Sequence, residues 1–321
     1  MIEIILCTDE NYIRPTGILI HSLAKKNPQQ AIRFHIVSTG LVESSKDSLR
    51  RCGQGLRSVF EFYKIDSSVL ENCPIRPKDH VSIVTYFRLL LPTILPADLS
   101  KILYLDGDIL CLDSIGPLWD TDISNFAAAV APDMKNNDIR ILNRLSLPKS
   151  AEYFNAGVML INLDWWRDHD VQNKALRYIF ENPDVCQFHD QDALNVLLGN
   201  SICHFPIRYN VQEHFFEPFE KQMIERKYFP EIEEAIQSPV FLHYTGSKKP
   251  WHDECVHPLR NLWLYVQSQT EWKRTPLAHK FSGSKRLRYL ARKYLSKMHI
   301  VSAKRIYGDF SPLENHLIKA F

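Results

Sequence analysis

Two carboxylates separated by one glycine close an apolar run, Ile102-Leu-Tyr-Leu-Asp106-Gly107-Asp108-Ile-Leu110. Acids at the end of a buried strand can share one divalent cation, because hard cations take carboxylate oxygens. A cation held there can neutralise a diphosphate as it leaves. Gly107 has no Cβ and leaves room for a ligand approaching the backbone.

The same spacing occurs by chance in loops. Aspartyl phosphatases also place a nucleophile and an acid this way, but near the start of the chain and followed by Thr or Val; here the pair lies deep in the sequence and continues Ile109-Leu110. A second run, Phe241-Leu-His243-Tyr-Thr-Gly246-Ser-Lys248-Lys249-Pro-Trp251-His252, opens an apolar strand onto His, Gly and Lys. His243 can complete a metal shell, and imidazole with carboxylates favours Mn²⁺ over Mg²⁺. Gly246 lets the backbone approach phosphate, and Lys249 offers a point charge. Singly, a strand-end His is more often structural and a Lys pair is usually solvated.

Three further segments carry polar groups at element ends. In Tyr153-Phe-Asn155-Ala156-Gly157, amide and small residues precede an apolar strand, where Asn155 can bind sugar hydroxyls or simply form a turn. His189-Asp190-Gln191-Asp192 opens a helix that continues to Leu198; an Asp N-cap is the plain reading and hydroxyl recognition by Asp190 and Gln191 the sharper one. Thr8-Asp9-Glu10-Asn11-Tyr12 follows the first strand, with Tyr12 able to stack on a base and Asp9 or Asn11 able to cap a helix.

The elements that must position these groups alternate in type. Apolar β-rich runs at 2–7, 33–37 and 59–63 are separated by helical patterns at 17–26 and 44–51, and further strands are expected at 102–105, 127–131, 158–161 and 240–243. This predicts an α/β fold with a mostly parallel buried sheet, whose ligands collect beyond the carboxyl ends of the strands. Residues 206–219 read as a loop, and the charged stretch 218–237 includes solvated helix.

Composition is globular, at 45% hydrophobic and 11% aromatic residues. Seven scattered cysteines without a C-x-x-C pair argue against a disulfide framework or zinc site. The opening MIEIILC reads as a strand and not a signal peptide, and no apolar run reaches spanning length. The net charge of +2 conceals an asymmetry: Lys273 to Arg305 holds eleven Lys or Arg and no acid, leaving 28 basic against 37 acidic residues elsewhere. Within that stretch Leu287, Leu290, Ala291, Tyr294, Leu295 and Met298 recur at helical spacing, with Arg288, Arg292, Lys293 and Lys297 mainly off the stripe. This is a basic amphipathic helix suited to an anionic membrane surface. The acidic body and the lack of a nucleic-acid motif argue against nucleic acid as a partner.

Taken together, the blocks TDENY, RFHIVSTG, HVSIVTYFRLLLP, KILYLDGDIL, PLWDTD, EYFNAGVMLINLDWWRDHD, QDALN and HYTGSKKPWH resemble glycosyltransferase family 8, and most the bacterial galactosyl- and glucosyltransferases that build lipooligosaccharide and lipopolysaccharide. The resemblance implies a GT-A type nucleotide-sugar-binding domain over residues 1–270 and a basic membrane-association segment over 271–321. It implies transfer of galactose or glucose from a UDP-sugar to a surface-glycan or glycolipid acceptor with retention, in the cytoplasm at the inner face of the plasma membrane. By position, Asp106, Asp108 and His243 resemble Mn²⁺ ligands, with Mg²⁺ the alternative. Asp9, Asn11 and Tyr12 resemble the uridine site, and Gly246 and Lys249 the diphosphate site. His80, Arg88, Asn155, Ala156, Asp190 and Gln191 resemble donor-sugar and acceptor positions, as does the acid Asp133. Gly107 departs from the bulkier apolar residue that members often carry. A metal-dependent nucleotide-sugar or phosphate-ester hydrolase using the same carboxylates is the alternative, and a sugar-binding protein without catalysis a third class.

Overall fold

The structure, a computed structural model, describes residues 1–75, 82–298 and 307–321. The chain divides into two compact units, one of Met1–Val211 with Met223–His243, the other of Gln212–Gln222 with Tyr244–Phe321.

The first unit is built on a seven-stranded sheet. In chain order its elements are β1 (Ile2–Cys7), α1 (Ile13–Lys26), β2 (Ala31–Ser38), α2 (Glu43–Cys52), β3 (Arg57–Lys64), α3 (Leu91–Ile94), β4 (Lys101–Leu105), β5 (Ile109–Cys111), α4 (Gly116–Trp119), β6 (Ala128–Pro132), α5 (Ile139–Arg144), β7 (Phe154–Asn162), α6 (Leu163–Asp168), α7 (Val171–Glu181), α8 (His189–Leu198) and β8 (Ile202–His204). A two-residue strand, β9 (Val211–Gln212), α9 (Phe229–Gln237) and β10 (Phe241–His243) follow. The strand order is β3-β2-β1-β4-β7-β6-β8. β1 is buried along its whole length, as a strand covered on both faces is, with its one acid, Glu3, 2.9 Å from His35 Nε2 of β2.

The expected parallel sheet is present, with one strand reversed. β1 is parallel to β2 and β4, β2 to β3, and β6 to β8, whereas β7 is antiparallel to both β4 and β6. Leu105 pairs with Val158 and Pro132 with Phe154. The reversal therefore sets the start of β7 beside the carboxyl ends of β4 and β6. Separately, β10 pairs antiparallel with β5, with His243 opposite Ile109, the residue after Asp108.

Several element bounds differ from the sequence expectation. α1 begins at Ile13 and not near Gly17, because a 3₁₀ turn at Glu10–Tyr12, capped by Asp9, feeds directly into it. β7 begins at Phe154, so Asn155 and Ala156 lie inside the strand and not in a turn before it; pairing with β6 extends it beyond the apolar core. Residues 206–219 contain short 3₁₀ turns at Ile207–Tyr209 and Glu213–Phe216. α9 lies within the charged stretch and buries Ile232, Ala235 and Ile236. All seven cysteines are free.

The second unit contains α10 (Arg260–Ser268), α11 (Gly283–Lys297) and α12 (Ser311–Ala320). Trp251 and Trp263 pack at 5.2 Å between ring centroids. Glu314 of α12 is buried against the start of α10, where its carboxylate accepts hydrogen bonds from the Asn261 and Leu262 backbone N–H groups at 2.6 and 3.2 Å and from the Asn261 amide at 3.0 Å. It supplies from another element the N-terminal cap that α10 lacks locally. Among the described residues, no helix is long and apolar enough to cross a membrane.

Candidate active site

Three groups that can bind a cation converge in the first unit. The ligating atoms of Asp106, Asp108 and His243 all lie within 4.8 Å of one another. His243 Nε2 is 3.2 Å from Asp108 Oδ1 and 3.7 Å from Asp106 Oδ2. β4 ends one residue before Asp106, β5 begins one residue after Asp108, and the pairing of β10 with β5 brings His243 alongside.

Each of Asp106 and His243 is turned toward the shared space by bonds on its other side. Asp106 Oδ1 accepts from Tyr104 Oη at 2.7 Å and Arg88 Nη2 at 2.9 Å, which leaves Oδ2 as the atom facing His243. His243 Nδ1 lies 2.9 Å from Asn210 Oδ1, which can only accept, so Nδ1 carries a proton and Nε2 is the ring nitrogen that faces the carboxylates. Gly157 forms the floor: a Cβ there would collide with the His243 ring and lie 2.8 Å from Asp106 Oδ2. A borderline-hard divalent ion suits two carboxylate oxygens, one imidazole and a cradle that any larger residue would fill.

Arg88 joins this cluster to α8. It sits in a 3₁₀ run, Ile83–Leu90, whose buried residues Tyr86 to Leu90 carry it into the core. Its Nε pairs with Asp190 Oδ2 at 2.8 Å, its Nη2 with Asp106, and its Nη1 donates to Ala156 O at 2.5 Å; its guanidinium lies 4.3 Å from the Tyr104 ring centroid. Burial alone would lower its pKa, but Asp106 and Asp190 outweigh burial and hold it above the ordinary value. Asp190 is raised by burial, opposed by Arg88 and by a 2.6 Å bond from Thr85 Oγ1. It is not the cap of α8: that position is Phe188, while Asp192 accepts from Phe188 N and pairs with Arg144.

Gln191, on the first turn of α8, is bonded at both ends of its amide. Oε1 accepts from Ala156 N at 3.1 Å and Asn155 Nδ2 at 3.3 Å; Nε2 donates to Asp133 Oδ2 at 3.2 Å and Tyr153 Oη at 3.1 Å. Asp133, at the carboxyl end of β6, also accepts from Asn155 Nδ2 at 3.0 Å and Lys135 N at 2.9 Å. Asp106, Asp108, Asp133 and Asp190 lie around this region, where Arg88 pairs with two of them, an arrangement that attracts a cation.

Residues 3–255 match the family described as Glycosyl transferase family 8. The chain belongs to that family. It is a glycosyltransferase. It is 27% identical to a lipopolysaccharide 1,3-galactosyltransferase of Salmonella typhimurium over 93% of this chain and 87% of that protein. A lipopolysaccharide 1,2-glucosyltransferase of Escherichia coli K12 is 28% identical over 83% of this chain and 77% of its own length. General stress protein A of Bacillus subtilis is 26% identical, over 85% and 95% respectively. Among solved structures, the galactosyltransferase LgtC with donor and acceptor sugar analogues superposes with a TM-score of 0.75 at 28% identity, covering 84% of this chain and 96% of that one. The fold is thus of the GT-A type.

Other positions of this family 8 glycosyltransferase singled out by sequence fall as follows. Asp9 caps the turn at Glu10–Tyr12 through a 3.0 Å bond from Tyr12 N, and Asn11 is exposed on that turn. Gly107 does not open space for a ligand: its Cβ direction meets Tyr12 Cδ1 at 3.0 Å and Thr16 Oγ1 at 3.1 Å, so its smallness admits the Tyr12 ring. Asn155 has its amide engaged by Asp133, Gln191, Asn210 and Gly157. Gly246 and Lys249 belong to the second unit. There, a Cβ on Gly246 would collide with the Glu213 carboxylate, and Lys249 Nζ donates to Tyr244 O at 2.7 Å. His80 lies outside the described residues. Tyr104, Thr85, Gly157 and Asn210 were not singled out by sequence; only Gly157, inside the quoted FNAGV block, carried a signal, that of a residue type reserved for close approach.

Proposed function

We propose that this glycosyltransferase moves galactose or glucose from a UDP-sugar to a lipopolysaccharide or related surface-glycan acceptor, with Mn²⁺ and with retention at the anomeric carbon. The observation that carries the reading is the convergence of Asp106 Oδ2, Asp108 Oδ1 and Nε2 of His243. The names of two relatives, a lipopolysaccharide galactosyltransferase and a lipopolysaccharide glucosyltransferase, support the donor and acceptor classes.

A bound Mn²⁺ supplies Lewis-acid stabilisation of the departing diphosphate. Asp106, Asp108 and His243 would hold it. Arg88 orients Asp106 and Asp190 together. Retention through a covalent intermediate requires a nucleophile beneath the sugar. Gln191 is a weak one, and its Oε1 is directed at Ala156 N and Asn155, while both oxygens of Asp190 are directed at Thr85 and Arg88. These bonds favour a front-face reaction, in which the leaving phosphate takes the acceptor proton and the protein orients the sugar and stabilises an oxocarbenium-like charge.

The reading also places the chain at the inner face of the plasma membrane through α11. Arg286 and Lys293 of α11 pair with Asp253 and Glu254 of the same unit, leaving Leu287 and Tyr294 69% and 65% exposed beside exposed Lys285, Arg288 and Arg292. Each basic residue at an anionic surface contributes about 1 kcal/mol, and the apolar residues can enter the interface.

UDP release with a panel of UDP-hexoses and Mn²⁺ tests the reaction class. The expected result is release accelerated by a lipopolysaccharide-type acceptor and lowered at least about 100-fold in Asp108→Ala with the fold retained. Release at the same rate with and without acceptor would mark a hydrolase instead.

A further inference from the structure

The hydrogen bonds behind His243 have a direction, and it is set at their far end. Asp133 is a carboxylate that only accepts, and the backbone N–H of Gly157 only donates. Asn155 lies between them and satisfies both in one orientation: Nδ2 toward Asp133 Oδ2 at 3.0 Å and Oδ1 toward Gly157 N at 3.0 Å. Asn155 Oδ1 then also accepts from Asn210 Nδ2 at 3.0 Å. That contact turns Asn210 Oδ1 toward His243 Nδ1 at 2.9 Å. Asn210 is fully buried and Asn155 nearly so. An amide flipped in this row would set two acceptors or two donors face to face, out of reach of solvent, which costs more than losing one bond.

We propose that Asn210 and Asn155 are positioning residues that relay the polarity of Asp133 to His243, fixing its proton on Nδ1 and keeping Nε2 open to a cation; the proposal rests on the reading of Asp106, Asp108 and His243 as a cation site. Neither amide touches the cation. Both act through the tautomer and ring orientation of a ligand, as hydrogen-bond acceptors behind metal-bound histidines do elsewhere. Asn210 follows the 3₁₀ turn Ile207–Tyr209, in a stretch with no motif of its own, and only the folded chain sets it behind the histidine.

The test is Mn²⁺ binding in the absence of donor, followed through the paramagnetic resonance signal of the free ion. Asn210→Leu removes the acceptor, and the expected result is a dissociation constant raised at least about tenfold. Asn210→Asp keeps an acceptor opposite Nδ1 but turns its second oxygen on Asn155 Oδ1, so its affinity should lie between those of wild type and the leucine variant. In a His243→Ala background, Asn210→Leu should cause no further loss, because the residue through which it acts is gone. Unchanged affinity in Asn210→Leu, an Asn210→Asp variant as weak as the leucine variant, or a further loss in the His243→Ala background would each overturn the relay. Wild-type protein that binds no Mn²⁺ would overturn both the relay and the cation site, whereas wild-type binding with an unaffected Asn210→Leu variant would remove the relay alone.

Discussion

Gly157 illustrates how much of this site depends on residues with no reactive atom. A Cβ at that position would occupy the space of the His243 ring and press on Asp106 Oδ2. Gly157→Ala is therefore expected to lower Mn²⁺ affinity about 10- to 100-fold and to destabilise the protein by about 1–3 kcal/mol through overpacking. Parallel Mn²⁺ titration and urea unfolding check both parts. At this scale the carboxylates and the histidine were legible in the sequence because both follow apolar runs and can share one cation, a combination that says more than either alone. Tyr104, Thr85 and Asn210 were not, since a tyrosine inside an apolar strand or an asparagine in a loop is ordinary until its hydrogen-bond partners are known. Arg88 and Asn155 were singled out as donor-sugar and acceptor positions, and the fold adds that their guanidinium and amide bond to Asp106, Asp190, Asp133 and Asn210.

Among the elements, the sheet was read well where strands are mostly apolar and less well where pairing extends them. β1 and β4 needed only their own sequence, whereas the start of β7 is held by β6 and carries polar residues that read as a turn. The reversal of β7 has no local signature, yet it gathers Asn155, Ala156 and Gly157 beside Asp106: the Asp106 N–H donates to Gly157 O at 2.8 Å. In the second unit, the segment before α10 carries a testable pH response. His257 is buried, with edge-on contacts to Tyr244 and Phe216 at centroid distances of 4.7 and 5.1 Å, and its Nδ1 accepts from Leu259 N at 3.1 Å. Burial pulls its pKa from 6.5 down to about 3. The folded-state pKa lies below the unfolded one, so the unfolded chain takes up the proton first on acidification. The neutral ring's contribution is complete above pH 6.5 and is lost as the pH falls toward 3. Between pH 7 and 5 the loss amounts to about 2 kcal/mol. Urea midpoints at the two pH values should show it, and His257→Asn, which keeps an acceptor for Leu259 N, should abolish that part of the pH dependence.

Across the whole molecule, charge separates residues 271–321 from the rest, but charge counting cannot see the single contacts that bind the last residues into the second unit. Glu314 caps α10, and Tyr307 Oη donates to Glu213 Oε1 at 2.7 Å. Removing everything after Lys273 would strip those contacts together with α11, so the membrane reading is tested better by point changes on the exposed face. Leu287→Glu with Tyr294→Glu should abolish sedimentation with phosphatidylglycerol vesicles while leaving turnover on a water-soluble acceptor intact; undiminished sedimentation would remove α11 as the membrane contact. The claim on which the rest depends is that a cation held by Asp106, Asp108 and His243 binds the donor diphosphate. Calorimetric titration of UDP with and without Mn²⁺, in wild-type protein and in Asp108→Ala, tests it most directly. The account predicts at least about tenfold tighter UDP binding when Mn²⁺ is present in the wild type, equivalent to about 1.4 kcal/mol, and no effect of the metal in the variant. UDP binding of equal strength with and without Mn²⁺ in the wild type, or none at all, would contradict it.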